Sequence, residues 1–128
     1  MNVYLIDDDA ALRQAVARFV ERFGLEVLGE APNGDEALRA LVDARLGLRP
    51  DLIISDCQMP VMDGLSFARR FRALGRATPM LMLSGQDDAE VVVAAIDAGF
   101  NAFVPKPVTG PLLADAIRLV LPDFPLAA

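Results

Sequence analysis

The sequence has no histidine and no tryptophan, and only one cysteine and one tyrosine among its 128 residues. Without histidine, Ser-His-Asp and Cys-His catalysis are excluded, and a zinc site loses its usual nitrogen ligand. The lone Cys57 cannot close an intrachain disulfide, so a cytoplasmic location is the natural expectation. Basic residues are outnumbered, 12 against 18 acidic, for a net charge of −6. That balance argues against direct, sequence-independent binding to nucleic acid, which needs a basic face. Hydrophobic residues make up 54% of the chain, yet no run approaches the ~20 residues of a membrane span. Three acids, Asp7, Asp8 and Asp9, interrupt the first ten residues, which excludes a signal peptide. There is no internal repeat, low-complexity tract or long linker. The length suits one domain, residues 1–128, large enough to bury roughly two-thirds of its unfolded surface.

The most informative stretch runs from Asp51 to Pro60. Leu52, Ile53 and Ile54 form a short apolar run bounded by Pro50-Asp51 and a loop. Such a run reads as a strand buried on both faces, as in a parallel sheet. Asp56 falls where that strand ends, the place where open α/β sheets carry their chemistry.

The rest of the chain alternates in period. Val3–Ile6 reads as a first strand, ending at Asp7-Asp8-Asp9. Leu12, Val16, Phe19, Val20 and Phe23 then share one helical face, with Arg13, Arg18, Glu21 and Arg22 largely opposite. Asp9 is the expected N-cap and Gly24 the stop. Leu25–Glu30 is a second strand and Asp35 to about Leu46 a second helix. After Asp63-Gly64, Leu65, Ala68 and Phe71 mark a third helix. Phe67 and Phe71 together call for a broad apolar stripe, so one of them is expected at the surface. Met80–Leu83 is a fourth strand with Met80 and Met82 in the core, followed by a helix from Asp87 to Ala98 capped by Asp87 or Asp88. Ala102–Val104 is a fifth strand, and Thr109 caps a fifth helix that Pro122 ends. Five strands alternating with five helices imply an α/β, doubly wound parallel sheet, flavodoxin-like, in the order 2-1-3-4-5. That order puts the acidic ends of strands one and three side by side.

Four strand ends then carry polar residues that could share a site: Asp7-Asp8, Asp56, Ser84 and Lys106. Clustered carboxylates repel unless a cation neutralises them. Hard oxygen ligands suit Mg²⁺, which one or two carboxylates and phosphate oxygens usually hold. A carboxylate so placed can attack phosphorus to form an aspartyl phosphate, with a lysine and a hydroxyl offsetting charge on the phosphoryl oxygens.

This pattern strongly resembles the receiver domain of two-component response regulators, from Val3 to about Leu121. The matching pieces are Leu5-Ile6-Asp7-Asp8, Asp51–Asp56 with Met59-Pro60 and Met62-Asp63-Gly64, Leu83-Ser84-Gly85, and Phe103–Pro107. The resemblance implies that Asp56 accepts a phosphoryl group from a phosphohistidine of a sensor kinase or phosphotransfer protein. It implies Mg²⁺, with Mn²⁺ as a substitute, held by Asp8, by Asp7 largely through water, by Asp56 and by the backbone carbonyl of Gln58. It gives Lys106 and Ser84 to the phosphoryl group and Phe103 to the switch, and expects a cis bond between Lys106 and Pro107. The output surface would be helix four, strand five and helix five, acting on a downstream protein.

Phe103 stands where many relatives have tyrosine, and so lacks a hydroxyl. Gly85 stands where alanine is commoner. Gln58 and Gln86 occupy positions that bear on how water reaches the phosphoryl group. The stretch Val91–Ile96 is apolar nearly all round a helix, so part of it should stay exposed as a partner or dimer surface. Cys57 is expected as a small buried residue, not a redox sensor.

The expectation is a stand-alone phosphoacceptor with no output domain and no enzymatic turnover beyond its own phosphorylation and slow dephosphorylation. The first alternative is a receiver from a longer regulator with a DNA-binding or enzymatic output. A phosphatase with an aspartate nucleophile would want a second Asp where Gln58 stands. A flavin-binding module would find Asp7-Asp8-Asp9 repelling its phosphate. A receiver that is never phosphorylated would have little use for the full set of polar residues.

Overall fold

The computed structural model describes residues 1–85 and 89–127. Five strands and five helices alternate: β1 Asn2–Ile6, α1 Ala10–Arg22, β2 Glu26–Ala31, α2 Gly34–Val42, β3 Leu52–Asp56, α3 Gly64–Ala73, β4 Met80–Ser84, α4 Ala89–Ala98, β5 Ala102–Pro105 and α5 Gly110–Val120. The strands form one parallel sheet in the order β2-β1-β3-β4-β5.

Each strand alternates between two apolar layers, as a period of two requires. Val3 and Leu5, Leu52 and Ile54, and Leu81 and Leu83 face a layer closed by Val16 and Val20 of α1 and Leu113 and Ile117 of α5. Tyr4 and Ile6, Ile53, and Met80 and Met82 face the other, closed by Ala37 and Leu41 of α2, Phe67 and Phe71 of α3, and Ala95 and Ala98 of α4. The expected core places for Met80 and Met82 are therefore met.

The helix caps follow local chemistry. Asp9 accepts from the amides of Ala11 and Leu12, Asn33 from Glu36, Asp63 from Ser66 and Thr109 from Leu112. The cap expected at Asp87 or Asp88 lies outside the described residues, as does Gln86.

Two expectations need correction. The second helix stops at Val42, not near Leu46. Asp43 leaves helical geometry, and its carboxylate accepts from the Arg45 amide at 2.9 Å, so a side-chain-bonded turn replaces the last helical turn. Phe67 and Phe71 are both fully buried. Residues four apart lie on the same helical face, and the rings stack with centroids 5.6 Å apart.

Phe124 and Leu126 pack against the α1–α5 layer, and the Ala127 amide donates to the Phe23 carbonyl at 2.9 Å.

Candidate phosphoacceptor site

The carboxyl ends of β1, β3, β4 and β5 gather the polar residues. Asp7 and Asp56 lie two positions beyond Leu5 and Ile54, which share one face of the sheet. β1 and β3 are neighbours, with Ile6 opposite Ser55. The next residues, two acids, therefore come together. One carboxylate oxygen from each of Asp7, Asp8 and Asp56 lies within 4.8 Å of the others. Asp7 and Asp56 are buried and Asp8 is exposed.

Asp56 is held tightly. Its Oδ1 accepts from Lys106 Nζ at 2.9 Å and from the Cys57 amide at 2.8 Å. Lys106 follows a strand whose Pro105 pairs with Ser84, and its own amide donates to the Ser84 carbonyl at 2.8 Å. The Lys106–Pro107 peptide bond is cis. Burial lowers the Lys106 pKa, but the hydrogen bond and charge of Asp56, with Asp7 and Asp8 behind it, outweigh burial and push it up. Lys106 is thus firmly cationic.

A pocket of about 180 Å³ opens over this centre, lined by Asp56, Cys57, Gln58, Ser84, Gly85 and Lys106. Ser84 is buried on its wall and Gln58 is exposed at its rim. Phe103 is half-buried on the face that α4 covers, one strand from Ser84. Cys57 is buried, and burial, followed by the charges of Asp56 and Asp63, pushes its thiol pKa up. That environment suppresses thiolate chemistry.

Asp7 is the unusual member. Its Oδ1 accepts from the Asp9 amide at 2.9 Å, while its Oδ2 is buried with no hydrogen-bond partner. Burial raises its pKa to about 6, against the Asp9 hydrogen bond and with the charge of Asp56 adding to the rise. An orphaned buried carboxylate oxygen costs about 1–3 kcal/mol or more if nothing satisfies it. With three carboxylate oxygens within 4.8 Å of one another, the cluster fits a small, hard divalent cation.

The loop after β3 explains the Met62-Asp63-Gly64 sequence. The Gly64 amide donates to the Cys57 carbonyl at 2.8 Å, and a Cβ on Gly64 would sit 2.2 Å from the Asp56 carbonyl oxygen. Only glycine lets α3 start this close to β3. Between them, Val61 adopts φ 73°, with the Met62 amide donating to the Pro60 carbonyl. This is a strained γ-turn, rare for a β-branched residue.

Arg13 is the site residue that sequence reading missed; it was assigned only to the polar face of α1. Its guanidinium reaches back to the Asp7 carbonyl and to Glu30.

Residues 3–118 match the response regulator receiver domain model. The chain belongs to the response regulator receiver family. This receiver is 37% identical over 110 residues to a protein-glutamate methylesterase/protein-glutamine glutaminase 3 of Hahella chejuensis, covering 84% of this chain and 30% of that protein. It is 35% identical over 121 residues to response regulator MprA of Mycobacterium leprae, covering 94% of this chain and 51% of that protein. The receiver thus spans about a third to a half of these curated relatives. Among solved structures it resembles the chemotaxis response regulator CheY4 of Vibrio cholerae, with TM-score 0.82, 31% identity and coverage of 93% and 97% of the two chains. The signal receiver domain of the response regulator NarL of Mycobacterium tuberculosis gives TM-score 0.80, 32% identity and 91% coverage of both chains. The receiver is therefore a module of phosphorylation-based signalling. Among the described residues, no helix is long and apolar enough to cross a membrane.

Proposed function

We propose that Asp56 is the phosphoacceptor, and that phosphorylation there changes the surface made by α4, β5 and α5. The observation that carries this reading is the Asp56 carboxylate, buried at a strand end and hydrogen-bonded to Lys106 beneath an open pocket. In the step proposed, an Asp56 oxygen attacks the phosphorus of a phosphohistidine. The P–N bond breaks, and the imidazole leaves with the electron pair and takes a proton from solvent. Lys106 supplies positive charge to the phosphoryl oxygens, and Ser84 supplies a hydroxyl at the pocket wall. Asp7, Asp8, Asp56 and the Gln58 carbonyl would hold Mg²⁺. Bound there, the cation screens carboxylate from phosphate and offsets charge on the transferring group.

Ser84 and Phe103 connect this centre to the face under α4. Once Ser84 turns to the phosphoryl group, Phe103 gains room to move inward. Val93 and Ile96 of α4 are more than half exposed, and Leu112 and Leu119 of α5 are exposed as well. A protein partner is the reading this surface supports, and a second copy of the chain is one such partner. The greater length of the curated relatives accords with the alternative that this receiver governs a further output segment.

The test is intact mass after incubation with Mg²⁺ and acetyl phosphate. The expected result is gain of one phosphoryl group, abolished by Asp56→Ala and by chelation of the metal. Gain of the group by Asp56→Ala, or turnover of a generic phosphate ester, would contradict the assignment.

A further inference from the structure

Arg13 lies one turn into α1, yet its side chain is only 21% exposed. One guanidinium arm donates to the Asp7 carbonyl, and Nε donates to Glu30 Oε1 of β2 at 2.8 Å. A guanidinium is a rigid planar fork, so two fixed acceptors fix its plane. The backbone around it is equally constrained. The Asp7 amide donates to the Ala31 carbonyl at 3.1 Å, the Asp9 amide to Asp7 Oδ1, and the Arg13 amide to the Asp9 carbonyl at 2.9 Å. The Asp7 carbonyl belongs to the peptide unit whose other end is Asp8. Fixing that carbonyl fixes the peptide plane that carries the Cα atoms of both Asp7 and Asp8, from which the two side chains depart.

We propose that Arg13, braced by Glu30, is a positioning residue for the metal site: it orients the Asp7–Asp8 peptide so that both carboxylates meet Asp56. This rests on the reading of the acidic cluster as the Mg²⁺ site. Positioning and simple electrostatics make opposite predictions. Arg13 is a cation beside an acidic cluster, so removing its charge should on electrostatics alone tighten cation binding. Loss of orientation should weaken it, as loss of partners that orient metal ligands commonly does by about tenfold or more.

The test is calorimetric titration of the full chain with MgCl₂ for wild type, Arg13→Gln, Arg13→Lys and Glu30→Gln, with circular dichroism to verify folding. The expected result is Mg²⁺ affinity reduced about tenfold in Arg13→Gln and less in Arg13→Lys, which keeps charge but not the fork. Glu30→Gln should show a smaller loss, because it frees the brace. At saturating Mg²⁺ the rate of phosphoryl gain from acetyl phosphate should return to the wild-type value in all three, which a general loosening of the fold would not give. Affinity in Arg13→Gln equal to or tighter than wild type, or Arg13→Lys indistinguishable from wild type, would overturn the proposal. Should Arg13→Gln fail to fold, Arg13→Lys and Glu30→Gln decide it. If wild type neither takes up Mg²⁺ nor gains a phosphoryl group, the metal-site reading itself falls; if wild type does both, failure is confined to Arg13.

Discussion

Helices α3 and α4 are the same length and cover the same face of the sheet, but they are held differently. α3 buries Gly64, Phe67, Ala68 and Phe71, while the buried residues of α4 are Ala95 and Ala98. Two buried phenyl rings contribute roughly 2–3 kcal/mol each, and two alanine methyls roughly 1 kcal/mol or less each. α4 has abundant apolar side chains, but Val93 and Ile96 point to solvent. Its firm anchor is at its end: Arg72 of α3 donates twice to the Gly99 carbonyl, at 3.1 and 2.8 Å, and once to Asn101 Oδ1. α4 is thus pinned at its C-terminus, buries two alanines, and shares its layer with Phe103. A helix near the low end of local stability is what a signal can move for a few kcal/mol, whereas α3 acts as a fixed wall.

The comparison can be broken by substitution. The largest effect is expected in α3: Phe67→Ala or Phe71→Ala should cost about 3–5 kcal/mol in urea unfolding. Ile96→Ala in α4 should stay within about 0.5 kcal/mol. Equal costs would dissolve the contrast. Arg72→Met should remove the pin at Gly99, lowering stability by about 1–3 kcal/mol and raising amide exchange at the C-terminal end of α4 first.

A second pair of effects separates the rigid site from the fold. The ordinary carboxylate value for Asp7 is 3.8 and its folded value is about 6. Between these values the folded chain takes up a proton that the unfolded chain does not. The metal-free protein should therefore gain stability as pH falls through 6 towards 4, and an ionised Asp7 costs stability at neutral pH. Asp7→Asn should stabilise the metal-free protein by about 1–3 kcal/mol at pH 7.5, with the gain shrinking below pH 6. The same variant should lose the rise in thermal midpoint that Mg²⁺ gives wild type. A destabilised Asp7→Asn variant at pH 7.5 would contradict the burial argument. A small effect is expected at Val61→Gly, which relieves the positive φ but loosens the unfolded chain; a net change within about 1 kcal/mol, stabilising in sign, is expected by thermal unfolding.

Sequence periodicity sufficed for the sheet order because alternating strands and helices with right-handed crossovers leave few topologies. Strand-end position brought Asp7, Asp8, Asp56, Ser84 and Lys106 into view for the same reason: a parallel sheet collects the residues that follow its strands at one edge. What escaped notice depends on side chains reaching across elements. Arg13 looked like a solvated helix residue until β2 placed Glu30 beside it. Phe124 and Leu126 lie beyond Pro122, where the expected fifth helix ends, and find their places only through the α1–α5 layer. The early end of α2 turned on one carboxylate, Asp43, bonding its own loop in place of a helical turn. Spacing also misled at Phe67 and Phe71, where a separation of four residues places both rings on one stripe.

The central claim is that phosphorylation at Asp56 is read out in α4 and not in α3. Amide hydrogen exchange followed by mass spectrometry, with Mg²⁺ and with or without acetyl phosphate, tests it directly. The account predicts altered exchange in peptides covering Ala89–Ala98 and Ala102–Pro105, unchanged exchange in Gly64–Ala73, and no response in Asp56→Ala. A phosphorylated chain whose α4 exchange matches the unphosphorylated one, or whose change is concentrated in α3, would contradict it.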